Sequence, residues 1–221
     1  GYVDGMGLYE YVRGQPLLAT DSSGEQWIPV QALEAIRQMR IRQMIPGARF
    51  VGCTAQQRRR LEDTLLSVVE RLRAIKRELE NRIISRPSIE LEVDESLAIA
   101  LCVSSCTTRI LEKLQTEQVF RCDKSCGKDE QAVFVEPAID ASYIKVCKST
   151  FAKTAGQTKT LAAVLYHEMS HSACNTADRG EVYSKPAQMC DDGYFYENLY
   201  SSRSAYRYID GKCRMHAMKK K

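Results

Sequence analysis

The segment LYHEMSHSACNTADRGEVY, residues 165–183, sets the strongest limit on how this chain can fold. His167 and His171 stand four residues apart with Glu168 directly after the first, and the sequence holds three histidines in all. Positions i and i+4 lie one turn apart on the same face of an α-helix, so both imidazoles address one metal ion only if this stretch is helical. Two ligands do not complete a zinc site, so the chain must also return a third donor to the helix. Glu168 projects from nearly the same side, placed to take the proton of a water that attacks a carbonyl. The surrounding TLAAVLYHEMSHSA carries Leu161, Val164, Leu165 and Met169 at near-helical spacing, with Thr158 or Thr160 as a cap.

A third histidine in the longer H-E-x-x-H-x-x-G-x-x-H pattern is excluded, because Cys174 and Ala177 occupy the later positions. Three carboxylates remain. Asp178 follows a break at CNTADRG, Glu181 lies just beyond it, and Glu197 falls in GYFYENLY. The turn can bring Asp178 back at once, to the distance of about 2.0–2.2 Å that a carboxylate keeps from zinc. Glu197 would have to arrive on a separate helix, and its neighbours Phe195, Tyr196 and Leu199 look like the packed face of that helix.

The rest of the pattern predicts an α+β chain, mainly helical, with a small sheet flanking the metal helix. Residues 31–44 and 55–84 place apolar side chains three and four apart among charges, and Pro46-Gly47 separates them. Further helices are expected over 94–105, 107–119 and 193–209, and short strands over 132–136 and 142–147. The arginine run 58–60 reads as the exposed face of a long helix. With 32 basic and 28 acidic residues the net charge is only +4, too mild to imply nucleic acid as a partner, and the lysine tail after Met218 reads as a solvated end. No stretch approaches the length of a membrane span and residue 1 opens no signal-peptide pattern, so export is expected to depend on a larger parent protein.

Nine cysteines are many for 221 residues. Cys102 with Cys106 and Cys122 with Cys126 form two C-x-x-x-C pairs. On facing helices these would be bridged Cys102 to Cys126 and Cys106 to Cys122, or would bind a second, structural zinc; disulfides are preferred because structural zinc favours the shorter C-x-x-C loop. Cys174, Cys190 and Cys213 surround the metal-helix region, and an odd total leaves at least one thiol outside the bridges. Several bridges would place the protein in an oxidising compartment such as a periplasm or the extracellular space.

The order HEMSH, then NTADRGEVY, then MCDDGYFYEN, preceded by AVFVEPAIDASYIKVCKSTF, resembles the aspzincins, zinc peptidases that include the deuterolysins and the peptidyl-lysine metalloendopeptidases. The resemblance covers about residues 120 to 200. It implies a zincin-like fold and zinc held by His167, His171 and Asp178. It also implies Glu168 as the base and Tyr183 as the residue that hydrogen-bonds the scissile carbonyl oxygen. Asn175 stands where the family has glycine, and Tyr183 lies five residues past Asp178 where the family spacing is three, which leaves Tyr194 or Tyr206 as substitutes. By the same resemblance Asp191 and Asp192 would receive a basic substrate side chain; the same pair would equally cap a helix starting near Gly193. Cys147 takes the place of a cysteine that bridges back across the strand pair, to Cys122 or Cys126.

At the amino terminus, GYVDGMGLYEYVRGQPLLATDSSG resembles the end of the core of a Rhs (YD-repeat) protein, with Asp21 and Gly24 at the junction and Ser22 where proline is usual. Read from its own residues, the stretch offers one or two short strands and turns. The resemblance implies residues 1–24 as the end of that core, 25–54 as a linker and first helix, and 55–221 as a toxin domain. The expectation is a secreted zinc metalloendopeptidase delivered into a target cell. Its partners would be a polypeptide substrate, a cognate immunity protein, and the parent shell with its secretion machinery. The alternatives are a non-catalytic binding module whose zinc is a structural staple closed by four ligands, and a glutamate-ligand zincin that uses Glu197.

Overall fold

The computed structural model describes residues 19–20, 26–27, 30–85, 95–124, 126, 132–136, 142–147, 150–151, 158–179, 183 and 185–218. The junction residues Asp21, Ser22 and Gly24, and Glu181, lie outside the described residues. The chain divides into two compact units, 1–43 and 44–221. In the first, strand β1 (Ala19–Thr20) pairs antiparallel with β2 (Gln26–Trp27), and helix α1 (Val30–Met44) follows, with Glu34 accepting from Arg37 and Gln38 one turn on.

The second unit runs β3 (Ala48–Val51), α2 (Ala55–Ile84), α3 (Glu95–Thr116), β4 (Gln118–Asp123), β5 (Ala132–Val135), β6 (Tyr143–Cys147), α4 (Thr158–Cys174), a 3-10 turn (Pro186–Asp191), α5 (Gly193–Ser201) and α6 (Ala205–Met218). Helix α2 starts at a capping box, in which Thr54 Oγ1 accepts from the Gln57 amide and the Gln57 side chain accepts from the Thr54 amide. Its core stripe, Leu61, Leu65, Val68, Leu72, Ile75 and Leu79, alternates steps of four and three and is wholly buried. Each such side chain contributes roughly 1.5–3 kcal/mol through burial.

Two expected helix boundaries are corrected. The anticipated break near residue 106 is absent, and α3 is one helix over Glu95–Thr116. Ser104, Thr107 and Thr108 are poor helix formers, but Thr107 is buried with its hydroxyl 3.1 Å from that of Tyr166, and Thr108 bonds back to the Ser104 carbonyl at 2.9 Å. Tertiary packing outweighs propensity there. The single helix expected over 193–209 is instead α5 and α6. Helix α2 divides them: the Arg71 guanidinium donates to the carbonyls of Tyr200 and Ser202 at the end of α5. Two turns along α2, Glu78 accepts from the Ser204 hydroxyl at 2.5 Å and from the amides of Ala205 and Tyr206 at 3.1 Å each, capping α6.

The sheet order is β3-β4-β6-β5, parallel except for the antiparallel β6/β5 pair at the edge. Strand β3 lies in the segment that the sequence reading assigns to linker and first helix, and it pairs along β4 from Ala48 opposite Gln118 to Val51 opposite Arg121. Phe120 and Ile144, opposite one another, are fully buried on the helix-covered face. The fold is thus α+β and mainly helical, with a small four-stranded mixed sheet.

Four disulfides are present: Cys53–Cys122, Cys102–Cys190, Cys106–Cys174 and Cys126–Cys147. The pairing of Cys102 with Cys126 and of Cys106 with Cys122 is therefore wrong, and the same four cysteines do not form a second zinc site. Cys122 sits in β4, held to the end of β3 by the bridge to Cys53, while Cys102 and Cys106 project one turn apart from α3 toward the segment after α4. The bridge from Cys147 back to Cys126 is one of the two that the aspzincin resemblance implies. Cys213 is buried, outside the four bridges. Such a set of bridges belongs to an oxidising environment. Among the described residues no helix is long and apolar enough to cross a membrane.

Candidate metal centre

Helix α4 is buried on nearly every side. Leu161, Leu165, Tyr166 and Met169 are at most 1% exposed, and Tyr166 meets Tyr196 of α5 edge-on at 5.4 Å between ring centroids. A helix so enclosed holds its histidines in fixed directions. His167 and Glu168 are buried and His171 half-buried, with donor atoms of the three within 4.8 Å of one another.

The chain returns at once after α4. Asn175 adopts φ 56°, its amide still bonded to the His171 carbonyl at 3.1 Å. This is the left-handed cap that ends many helices, and asparagine tolerates it best after glycine, which accounts for asparagine at the position where aspzincins carry glycine. Ala177 then makes an isolated parallel bridge: its amide donates to the Asp191 carbonyl at 2.8 Å and its carbonyl accepts from Gly193 at 3.1 Å. Between these contacts the carboxylate of Asp178 is turned back over α4, with Oδ1 2.9 Å from His167 Nε2 and 3.2 Å from His171 Nε2. Four ligands at about 2.0–2.2 Å around a tetrahedral zinc stand about 3.3–3.6 Å apart, so the distances from Asp178 to the two ring nitrogens come close to the spacing of a ligand set.

A second observation concerns the space itself. A Cβ on Gly193 would lie 2.7 Å from His167 Nε2 and 2.9 Å from His171 Nε2, so the absence of a side chain at this position keeps the space beside the two nitrogens open. The donor set and the open space fit a metal ion.

The outer partners fix the rings. His171 Nδ1 donates to the Thr176 carbonyl at 2.8 Å, since a carbonyl only accepts, and this contact turns Nε2 toward Asp178. The Thr176 hydroxyl in turn meets that of Ser170 at 2.8 Å. His167 Nδ1 is buried and faces Glu197 Oε2 at 3.4 Å. Glu197 thus stands behind His167, on the nitrogen away from Asp178. Burial opposes charge on His167, but the Glu197, Glu168 and Asp178 carboxylates outweigh it and hold the ring above its ordinary value.

Glu168 Oε1 is 4.0 Å from His167 Nε2, beside the ligand atoms and not among them. Its other oxygen accepts from the amide of Phe134 in edge strand β5 at 2.6 Å. Burial raises the carboxyl to about 7; the His167 charge and the Phe134 amide lower it, and Asp178 and Glu197 raise it further. A cavity of about 810 Å³ opens here between β5 and α5, lined by Val133, Phe134, Glu136, Glu168, Asp178, Tyr194 and Glu197 among others. Tyr194 stands edge-on to His167 with ring centroids 4.8 Å apart. Asp178 foremost, then burial and the other nearby carboxylates, raise its phenol above the ordinary value.

The remaining residues singled out from the sequence lie elsewhere. Tyr183 donates its hydroxyl to Asp192 Oδ2 at 2.8 Å, and Asp192 is wholly buried, its Oδ1 accepting from the amides of Arg179 at 3.1 Å and Tyr194 at 3.2 Å. Asp192 is therefore the N-cap of α5, the capping role weighed against a substrate role. Asp191 is exposed and borders a separate groove with Glu95 and Lys185. Neither aspartate, nor Tyr183, lines the cavity at the histidines. The acids that do so beyond this helix and Asp178 are Glu136 and Glu197, and sequence reading missed Glu136, whose only signal was its place at the end of the expected strand 132–136. No protein-family model matches the sequence, and no curated protein matches it.

Proposed function

We propose that residues 44–221 form a zinc-dependent endopeptidase domain of the aspzincin type. The observation that carries this reading is the convergence of His167 Nε2 and His171 Nε2 on Asp178 Oδ1, at 2.9 and 3.2 Å, with Glu168 set just outside them on a large open cavity. Zinc held by these three would act as a Lewis acid on a peptide carbonyl and lower the pKa of a water beside it. Glu168 takes a proton from water as the water oxygen adds to the carbonyl carbon, and returns it to the amine nitrogen as the C–N bond breaks. A carboxyl near 7 is matched to both halves of that task, and the Phe134 amide fixes its direction. Phe134 turns its amide away from β6 to Glu168, and the outer edge of β5, which pairs with no other strand among the described residues, would offer its remaining main-chain groups to an extended peptide laid along the cavity. A structural site closed by a fourth side chain would need neither the buried base nor the cavity.

The likeness of residues 1–24 to a Rhs core extends the proposal: the domain acts as a delivered toxin, restrained in its producer by an immunity protein that covers the cleft. Glu168→Gln keeps the shape of the side chain without a basic oxygen. It is expected to retain one zinc per chain and lose peptide cleavage by about 10²–10⁴-fold, with loss of toxicity on expression. Retained cleavage in this variant would remove the catalytic reading. Co-expression of the adjacent open reading frames should restore growth, and failure of all of them would remove the immunity partner.

A further inference from the structure

From the placement of Tyr194 at the start of α5, its ring against His167 and facing the open cavity, we infer that Tyr194 is the hydroxyl that hydrogen-bonds the scissile carbonyl oxygen, a role that the family resemblance gives to Tyr183. The inference rests on the peptidase reading above. A donor to that oxygen must sit beside the metal ligands, on the cavity side, with a hydroxyl that substrate can reach. Tyr194 meets these conditions: it lines the cavity, its ring centroid is 4.8 Å from that of His167, and it is 42% exposed.

The competing tyrosines do not. The Tyr183 hydroxyl is already donated to Asp192 Oδ2 at 2.8 Å, a carboxylate with no exposure at all. Tyr206 stacks under the Arg82 guanidinium of α2, 5.3 Å from the ring centroid, away from the cavity lining. Tyr166 and Tyr196 are buried, their hydroxyls on Thr107 and on the Cys190 carbonyl. Sequence order explains the exchange. Tyr183 lies two residues beyond the family spacing from Asp178 and its hydroxyl is on Asp192, while the aromatic at the site, Tyr194, comes from the helix that Asp192 caps.

Tyr183 thereby becomes a positioning residue. Through Asp192 it reaches both the Arg179 amide, next to Asp178, and the Tyr194 amide. In the reaction the Tyr194 O–H stays intact. It strengthens its hydrogen bond as the carbonyl oxygen gains negative charge, while the proton of the attacking water travels by way of Glu168 to the leaving amine.

The test uses zinc-reconstituted protein and a mixed library of internally quenched peptides. Tyr194→Phe should lower kcat about a hundredfold, with KM, zinc content and melting temperature held at the wild-type values. Tyr194→Phe with undiminished kcat overturns the assignment while leaving the peptidase reading intact, and a kcat loss confined to Tyr183→Phe returns the role to that residue. A zinc-loaded wild type that cleaves nothing in the library overturns the peptidase reading, and the Tyr194 role with it.

Discussion

The loop that carries Asp178 and the strand that holds Glu168 both border the cavity, yet they are fixed by different means. The loop is bracketed by two cysteines, Cys174 and Cys190, each bridged to α3, at Cys106 and Cys102 one turn apart. Between the brackets the backbone of residues 177–179 is bound to Asp191, Asp192 and Gly193. Strand β5 carries no cysteine; it is an edge strand, tied by its ladder to β6 and by one amide to Glu168. The single bridge in its neighbourhood, Cys126–Cys147, fastens the end of β6 that lies beside the start of β5, and does not hold β5 itself. A ligand carboxylate misplaced by an ångström loses the ion, so its loop is cross-linked on both sides. A wall that receives substrate needs room to adjust, and hydrogen bonds supply that.

Removing one bridge from each side separates the two roles. Because Cys106–Cys174 already joins α3 to α4, Cys102–Cys190 closes an additional loop of only about 20 residues. Both Cys102→Ser with Cys190→Ser and Cys126→Ser with Cys147→Ser should therefore cost about 3 kcal/mol of stability by the chain-entropy argument. The first pair should also lower zinc affinity, read by competition with a chelating dye. The second should leave zinc affinity unchanged and lower the rate of peptide cleavage. Equal loss of zinc from both would erase the distinction between the walls.

A smaller change probes the open space directly. Gly193→Ala sets a methyl 2.7 Å from His167 Nε2, and zinc affinity should fall about a hundredfold while the metal-free protein keeps its helical circular dichroism. Unchanged affinity would mean the ion lies elsewhere. Smaller again, Glu197→Gln keeps the shape behind His167 and removes its charge. It should weaken zinc about tenfold with one ion still bound per chain, whereas Asp178→Ala should fail to hold a stoichiometric ion.

The smallest effect is a slope with pH in the metal-free protein. Glu168 sits at about 7 against an ordinary 4.5, so between those values the unfolded chain has released a proton that the folded one retains. Stability from this group is complete below about 4.5 and is lost as pH rises through about 7; His167, also raised, adds to the decline over the upper part of that window. Urea denaturation of the metal-free protein at pH 5 and pH 7.5 should show the fall, and Glu168→Gln should flatten it.

The parts legible in the sequence are those with local causes. Helix Ala55–Ile84 follows from its four-three apolar repeat, the metal helix from its histidine spacing, and the return of Asp178 from the break at CNTADRG. What stayed hidden depends on partners distant in sequence. Arg71 and Glu78 end one helix and begin another more than a hundred residues away, and no pattern within residues 193–209 announces that. Cys102 and Cys106 do share a face, as their spacing says, but spacing is silent on which cysteines meet that face. Tyr183 was assigned to the substrate by resemblance and Asp192 either to the substrate or to a helix cap; in the structure the two hydrogen-bond one another and Asp192 caps α5. Strands β3 and β4 were both missed: β4 begins inside the residues 107–119 read as helix, and β3 is held by pairing with β4, about seventy residues away in sequence.

On the proposed reading, the three ligands His167, His171 and Asp178 and the base Glu168 all lie between residues 167 and 178, on one helix and the turn that ends it. Closing so short a span costs little chain entropy, so an ion held there should outlast the loss of the sheet for as long as the bridges to α3 keep the loop in place. Retained metal is then a report on one turn of backbone, and cleavage a report on the whole domain. On heating, the loss of enzymatic rate should precede the release of the ion.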